Sequence, residues 1–194
     1  MVGVARSLFL NDLAGAATPA QGARLATMAK EHFDYVWRLL RRLGLSEADA
    51  DDVTQQSFLV ASRRLDDIHI GSERAFLYRA AVHSAYKHRR SRARRREDDL
   101  DELTLEPTGE PGVEELVDRR RARAILDAIV ETMPMDFRVI FVLYEIDGLS
   151  TQEIADVVGI PLGTVASRLR RARAEFETRV GRLEARHKHH GVKS

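Results

Sequence analysis

The sequence predicts an all-α protein: two small helical domains joined by an acidic, flexible linker, the second domain containing a helix-turn-helix. Three observations carry that expectation. Apolar residues recur at steps of three and four through most of the chain, the period of an amphipathic helix. Residues 97–115 break that period with an acidic run holding Pro107 and Pro111, the composition of an extended, self-repelling linker. Residues 150–173, STQEIADVVGIPLGTVASRLRRAR, read as two short helices around a tight turn.

Residues 1–22 are small, Gly/Ala-rich and broken by Pro19, and are expected to form a partly ordered N-terminal extension. From Ala23, the spacing of Leu25, Met28, Ala29, Phe33, Val36, Trp37 and Leu40 predicts a helix to Leu43. Gly44 stops it, Arg38, Arg41 and Arg42 suit its C-terminal dipole, and Trp37 is expected in the core. Ser46 caps a second helix, whose first turns carry Glu47, Asp49, Asp51 and Asp52. It runs on through the apolar residues Val53, Phe58, Val60 and Leu65, with Asp52, Gln55 and Gln56 as its exposed polar face.

After a loop at residues 66–72, a third helix is expected from Glu73 to about Arg94. Arg79, His83, Lys87 and Arg90 fall at three- or four-residue steps and form a cationic stripe. Residues 87–96, KHRRSRARRR, are too densely charged for a neutral solvated face, and the aromatics Phe76, Tyr78 and Tyr86 lie between the cations. Backbone neutralisation with interleaved stacking surfaces is what single-stranded nucleic acid binding needs. Beyond the linker, Leu116, Ala124, Ile125, Ala128 and Ile129 mark a helix closed by Pro134, and Phe137, Ile140, Phe141 and Leu143 mark the next.

The helix-turn-helix follows the turn at Asp147 and Gly148. Ser150 with Glu153 makes a capping box, Ile154, Val157 and Val158 an apolar stripe, and Gly159 a helix stop that favours positive φ. The second helix buries Val165 and Leu169 and presents Thr164, Ser167, Arg168, Arg170, Arg171 and Arg173, donors suited to a DNA major groove.

Composition bounds the alternatives. With 194 residues, 44% apolar and 31% charged, the chain holds one domain or two small ones; its net charge of +1 conceals basic blocks on either side of the acidic linker. The absence of cysteine excludes disulfides, thiolate zinc sites and a thiol switch, and suits a reducing cytoplasm. No apolar run reaches the ~20 residues that span a bilayer, so no membrane insertion is expected. No triad order, phosphate-cradling loop or metal-ligand spacing is present; no catalytic residue, metal or cofactor is expected, and the chain is not read as an enzyme. His187, His189 and His190 belong to an expected solvated tail, residues 183–194.

In their order, these segments resemble the extracytoplasmic-function sigma factors of bacterial RNA polymerase. ADADDVTQQSFLVASRRLDDI is similar to their core-polymerase-binding segment, ERAFLYRAAVHSAYKHRR to the segment that melts and reads the −10 element, and DGLSTQEIADVVGIPLGTVASRLRRARAEF to the domain that reads the −35 element. The resemblance implies a sigma domain two at residues 23–96 and a sigma domain four at residues 116–182. It implies that Asp52, Gln55 and Gln56 dock on the polymerase β′ clamp helices, with the β flap as a further contact. Arg79, His83, Lys87 and Arg90 are then the −10 DNA-binding residues, and a flipped −10 base lies near the loop at residues 66–72. Thr164, Ala166, Ser167, Arg168 and Arg171 are the −35 DNA-binding residues. Ala166, His83 and Lys87 depart from residues common in the family, and with Ala166 shape readout carries more of the −35 specificity. Promoter DNA and an anti-sigma factor are the further partners implied. The rival expectation is a helix-turn-helix regulator that binds duplex DNA on its own, which leaves the basic helix and the acidic linker without a role.

Overall fold

The computed structural model describes residues 18–98 and 114–191, and among these residues the secondary structure is helical throughout. Most of the expected linker lies outside the described residues. The first helix, α1 (Pro19–Arg42), begins four residues earlier than its apolar period predicts. Thr18 accepts from the Gln21 amide, and the Gln21 side chain accepts from the Thr18 amide at 3.1 Å, a complete capping box. Pro19 therefore starts the helix rather than breaking the chain, because its missing N–H is needless in a first turn.

Helices α2 (Glu47–Arg63) and α3 (Glu73–Asp98) complete the first unit, with a single 3₁₀ turn at Leu65–Asp67 between them. Val36, Leu39, Leu40, Phe58 and Leu77 are fully buried where the three helices meet, and Phe33 stacks on Phe58 at 5.6 Å between centroids. Trp37 is only half-buried: its indole N–H donates to Asp51 at 2.7 Å, tying α1 to α2. Burying a Trp ring and leaving its polar edge a partner is the usual compromise for this residue.

The second unit comprises α4 (Glu114–Thr132), α5 (Met135–Phe141), α6 (Thr151–Val158) and α7 (Leu162–Gly191). α5 runs straight into a π turn at Val142–Ile146, and Phe141 stacks on Phe176 of α7 at 4.8 Å. α7 is one continuous helix that carries on through most of the residues expected as a tail. The buried apolar side chains of both units form a single continuous cluster, because α3 packs along α6 and α1 touches α4.

Candidate nucleic-acid and polymerase interface

On α2, Asp52 and Gln56 are exposed and Gln55 is half-buried. Ser46 accepts from the Asp49 amide at 3.2 Å and starts this helix, so its acidic first turn faces solvent as the dipole favours. Val60, expected on the apolar face, is instead 43% exposed, one turn beyond Gln56, and its neighbour Leu59 is 38% exposed. The surface around the two glutamines is therefore amide, acid and aliphatic together. Across a groove of about 480 Å³, it faces His83 and Lys87 of α3.

All four residues of the cationic stripe, Arg79, His83, Lys87 and Arg90, are exposed on one face of α3. The aromatics between them are not. Tyr78 is 1% exposed, and Phe76 and Tyr86 are half-buried against the core, so α3 offers cations without the interleaved stacking surface. The physical reason is that α3 is packed on both sides, by α1 and α2 and by α6, which claims its large apolar rings.

The loop before α3 is braced from α1. Arg24 donates to the carbonyls of Leu65 (3.1 Å) and Ile68 (2.6 Å) and pairs with Glu73 at 2.7 Å. Gln21 donates to Asp66 at 3.1 Å, and the Gly71 amide donates to Glu73 at 2.6 Å. The hydrogen bonds from Arg24, its own backbone and Gly71 hold the Glu73 carboxyl below its ordinary range, although burial alone opposes this. Gly71 takes φ +87°, a left-handed conformation at the loop tip that favours glycine. The product is a rigid loop that lifts Ile70 into solvent at 91% exposure, a residue the apolar period does not single out.

The helix-turn-helix forms as its local sequence dictates. Ser150 accepts from the Glu153 amide at 3.2 Å while the Glu153 carboxylate accepts from the Ser150 amide at 2.8 Å, and these bonds lower the Glu153 carboxyl. Gly159 ends α6 at φ +74°. On α7, Val165 and Ala172 are fully buried and Leu169 is 5% exposed. Ala166 and Arg171 are exposed, as is Arg170, whereas Thr164, Ser167 and Arg168 are half-buried. Ser167 spends its hydroxyl proton on the Thr164 carbonyl at 3.0 Å, and Arg168 pairs with Asp136 of α5 at 3.2 Å. Arg173 pairs with Glu145 at 2.6 Å. Of the expected −35 residues, Ala166 and Arg171 thus face solvent freely, and Arg168 is held by an internal carboxylate.

Several polar side chains at the junction of the two units are invisible to sequence spacing. Arg42 of α1 pairs with Asp147 at 3.2 Å, and Arg74 of α3 donates to the Asp147 carbonyl at 2.8 Å. Tyr86 of α3 donates to Asp136 at 3.0 Å, on the carboxylate that also holds Arg168. Arg138, 4% exposed, donates to the carbonyls of Leu43 (2.9 Å), Met133 (3.1 Å) and Glu131. Burial in this site lowers its guanidinium pKa to about 10, with Arg89 nearby adding to the effect.

A helix with an acidic start beside a cationic helix, followed by a helix-turn-helix, defines a class of two-unit, all-helical proteins with a DNA-binding motif. Family models place it further. The Sigma-70 region 2 model matches residues 28–95, and the Sigma-70 region 4 model matches residues 123–176. The chain is 34% identical over 150 residues to the ECF RNA polymerase sigma factor SigE of Mycolicibacterium smegmatis, which covers 77% of this chain and 58% of that protein. It is 36% identical over 141 residues to the ECF RNA polymerase sigma-E factor of Salmonella typhimurium, covering 68% of this chain and 74% of the other. Among solved structures, the sigma factor RpoE in complex with the anti-sigma factor NepR from Bartonella quintana shares the fold, with a TM-score of 0.62, 21% identity, and coverage of 79% of this chain and 94% of that one. CnrH in complex with the cytosolic domain of CnrY shares it at a TM-score of 0.60, 23% identity, and coverage of 90% and 96%. The chain belongs to the ECF RNA polymerase sigma factors.

Proposed function

We propose that this sigma factor docks on core polymerase through Asp52, Gln55 and Gln56 of α2, holds the opened −10 strand on α3, and reads the −35 element with α7. The observation that supports it best lies at the start of α3. Three exposed cations, Arg79, Lys87 and Arg90, share one helix face with the exposed His83, following a braced loop with an exposed apolar tip. Cations on one face neutralise a phosphate backbone, and an apolar side chain beside it can wedge between base steps and hold one open at a cost of a few kcal/mol. The strand is thus gripped by charge and kept open by Ile70. The clamp-helix contact rests on amides and aliphatic surface as much as on charge, given Leu59 and Val60 beside the two glutamines.

On α7, Arg171 supplies an exposed cation and Ala166 a face without donors, an arrangement that favours reading duplex shape over base-edge hydrogen bonds. No catalytic residue is assigned, since bond making belongs to the polymerase. One solved neighbour is a sigma factor in complex with an anti-sigma factor, which supports an anti-sigma factor as a partner here as well. No helix among the described residues is long and apolar enough to cross a membrane, and the reading places the chain with the polymerase in the cytoplasm.

The test is run-off transcription with bacterial core polymerase on promoters selected from genomic fragments. Specific transcripts that disappear in Gln55→Ala/Gln56→Ala are expected. Failure to bind core, combined with tight binding of the protein alone to a palindromic duplex, overturns the reading in favour of an autonomous regulator.

A further inference from the structure

We propose that Arg24, in the first turns of α1, is a positioning residue for strand opening: it fixes Ile70 at the loop tip, so the start of α1 governs how readily the −10 region is opened. This rests on the reading of Ile70 as the wedge and of α3 as the holder of the opened strand. Arg24 lies ahead of residue 28, where the region 2 match begins, and that reading gives it no role of its own.

One guanidinium holds the loop on both sides of its tip. On the near side, Arg24 Nη2 donates to the Ile68 carbonyl at 2.6 Å and Nη1 to the Leu65 carbonyl at 3.1 Å. On the far side it acts through Glu73. Arg24 Nε and Nη2 donate to Glu73 Oε1 at 3.3 and 2.7 Å, while Glu73 Oε2 accepts from the Gly71 amide at 2.6 Å. Ile70 therefore stands between two backbone groups, the Ile68 carbonyl and the Gly71 amide, that both trace back to Arg24. Leu65 and Ile68 are buried and anchor the base of the loop, but the tip stands clear of the fold: Ile70 is exposed, and a Cβ on Gly71 would meet open space. The position of the tip is thus set by hydrogen bonds rather than by packing. Gln21, seated by the Thr18 capping box, adds a bond to Asp66 at the entrance of the loop.

A planar fork of donors lets one side chain serve two carbonyls and a carboxylate together, which a Lys ammonium does not reproduce. The consequence for opening is preorganisation. An apolar side chain on a slack loop must be ordered as it enters the base stack, and that cost is subtracted from the opening; on a braced loop the ordering is already done.

The test uses the full-length chain assembled with core polymerase, on a duplex promoter and on one whose −10 region is mismatched and so already unpaired. Arg24→Gln is expected to lower permanganate reactivity severalfold on the duplex with holoenzyme assembly unchanged, and to regain wild-type transcription on the unpaired template. Arg24→Lys is expected to resemble Arg24→Gln, because charge alone does not satisfy all three acceptors. Adding Arg24→Gln to Ile70→Ser is expected to cause no further loss, since both changes disable one device. If Arg24→Gln disturbs folding, Glu73→Gln, left with one acceptor oxygen where two are used, takes its place under the same expectations. An undiminished duplex signal, an equal loss on the unpaired template, or losses that multiply in the double variant each overturn the role of Arg24. Ile70→Ser that opens the duplex as wild type does overturns the wedge reading beneath it, and a wild-type chain that fails to bind core removes the sigma reading itself.

Discussion

Arg138 shows how much one buried side chain can hold. It serves three backbone carbonyls, at Leu43, Glu131 and Met133, and so joins the end of α1 to the turn between α4 and α5. Arg138→Met keeps the volume but orphans those acceptors, and a loss of about 3 kcal/mol in urea titration is expected. Gly44 is tied to the same spot: it sits at φ +92°, and a Cβ there would collide with Arg138 Nη1. Gly44→Ala is expected to cost about 2 kcal/mol by the same measurement, and less in the Arg138→Met background, where the clash is gone.

Asp147 sets a pH dependence with an unusual sign. Burial raises its carboxyl against the pull of Arg42, Arg74 and Arg38, so the folded chain holds that proton more tightly than the unfolded one. Its stabilising contribution is complete below the unfolded value of about 3.9 and is lost as pH rises through the folded value. Wild-type stability relative to Asp147→Asn should therefore fall with rising pH across that window. Comparing the two proteins removes Glu73 and Glu153, whose lowered values act in the opposite direction. A flat difference contradicts the assignment. Ile70, at the tip of its braced loop, bears on the proposed strand opening instead. Ile70→Ser is expected to reduce promoter opening, read by permanganate reactivity of unpaired thymines, about tenfold while leaving core binding intact.

At the scale of single elements, the sequence is most readable where the determinants are local. The α6–turn–α7 motif is specified within two dozen residues by Ser150, Glu153 and Gly159, and it forms with both halves of the capping box and φ +74° at the turn. Ser150→Ala is expected to cost about 1 kcal/mol. The start of α1 was equally local, in Thr18, Pro19 and Gln21, but a proline in a small-residue stretch resembles a breaker until its position relative to a cap is considered. Helix α3 is where spacing misleads. Period alone cannot say which side of a helix packed on two faces belongs to the core, and Tyr78 and Tyr86 turn inward while only the cations stay out. The junction is least readable. Its partners are separated by 50 residues for Tyr86–Asp136, 95 for Leu43–Arg138 and 105 for Arg42–Asp147, and a charged residue seen alone always looks like a solvated one.

For the whole molecule, the continuous core carries a prediction of its own. Two units with separate cores melt separately, whereas units that share buried surface melt together. One calorimetric transition is expected for the full chain, and Ser150→Ala should lower it as a whole although the change lies in α6; a split transition contradicts a shared core. The proposed −35 contact of α7 is testable at this scale through salt. Arg171→Ala is expected to weaken holoenzyme binding to all promoters alike and to reduce the slope of log K against log salt by about 1, as for any lost phosphate contact.

The carboxylate of Asp136 accepts from Tyr86 on α3 and pairs with Arg168 on α7. The bond from Tyr86 joins the two units, whereas the Arg168 pair lies within the second, so parting the units breaks the first contact and leaves the second in place.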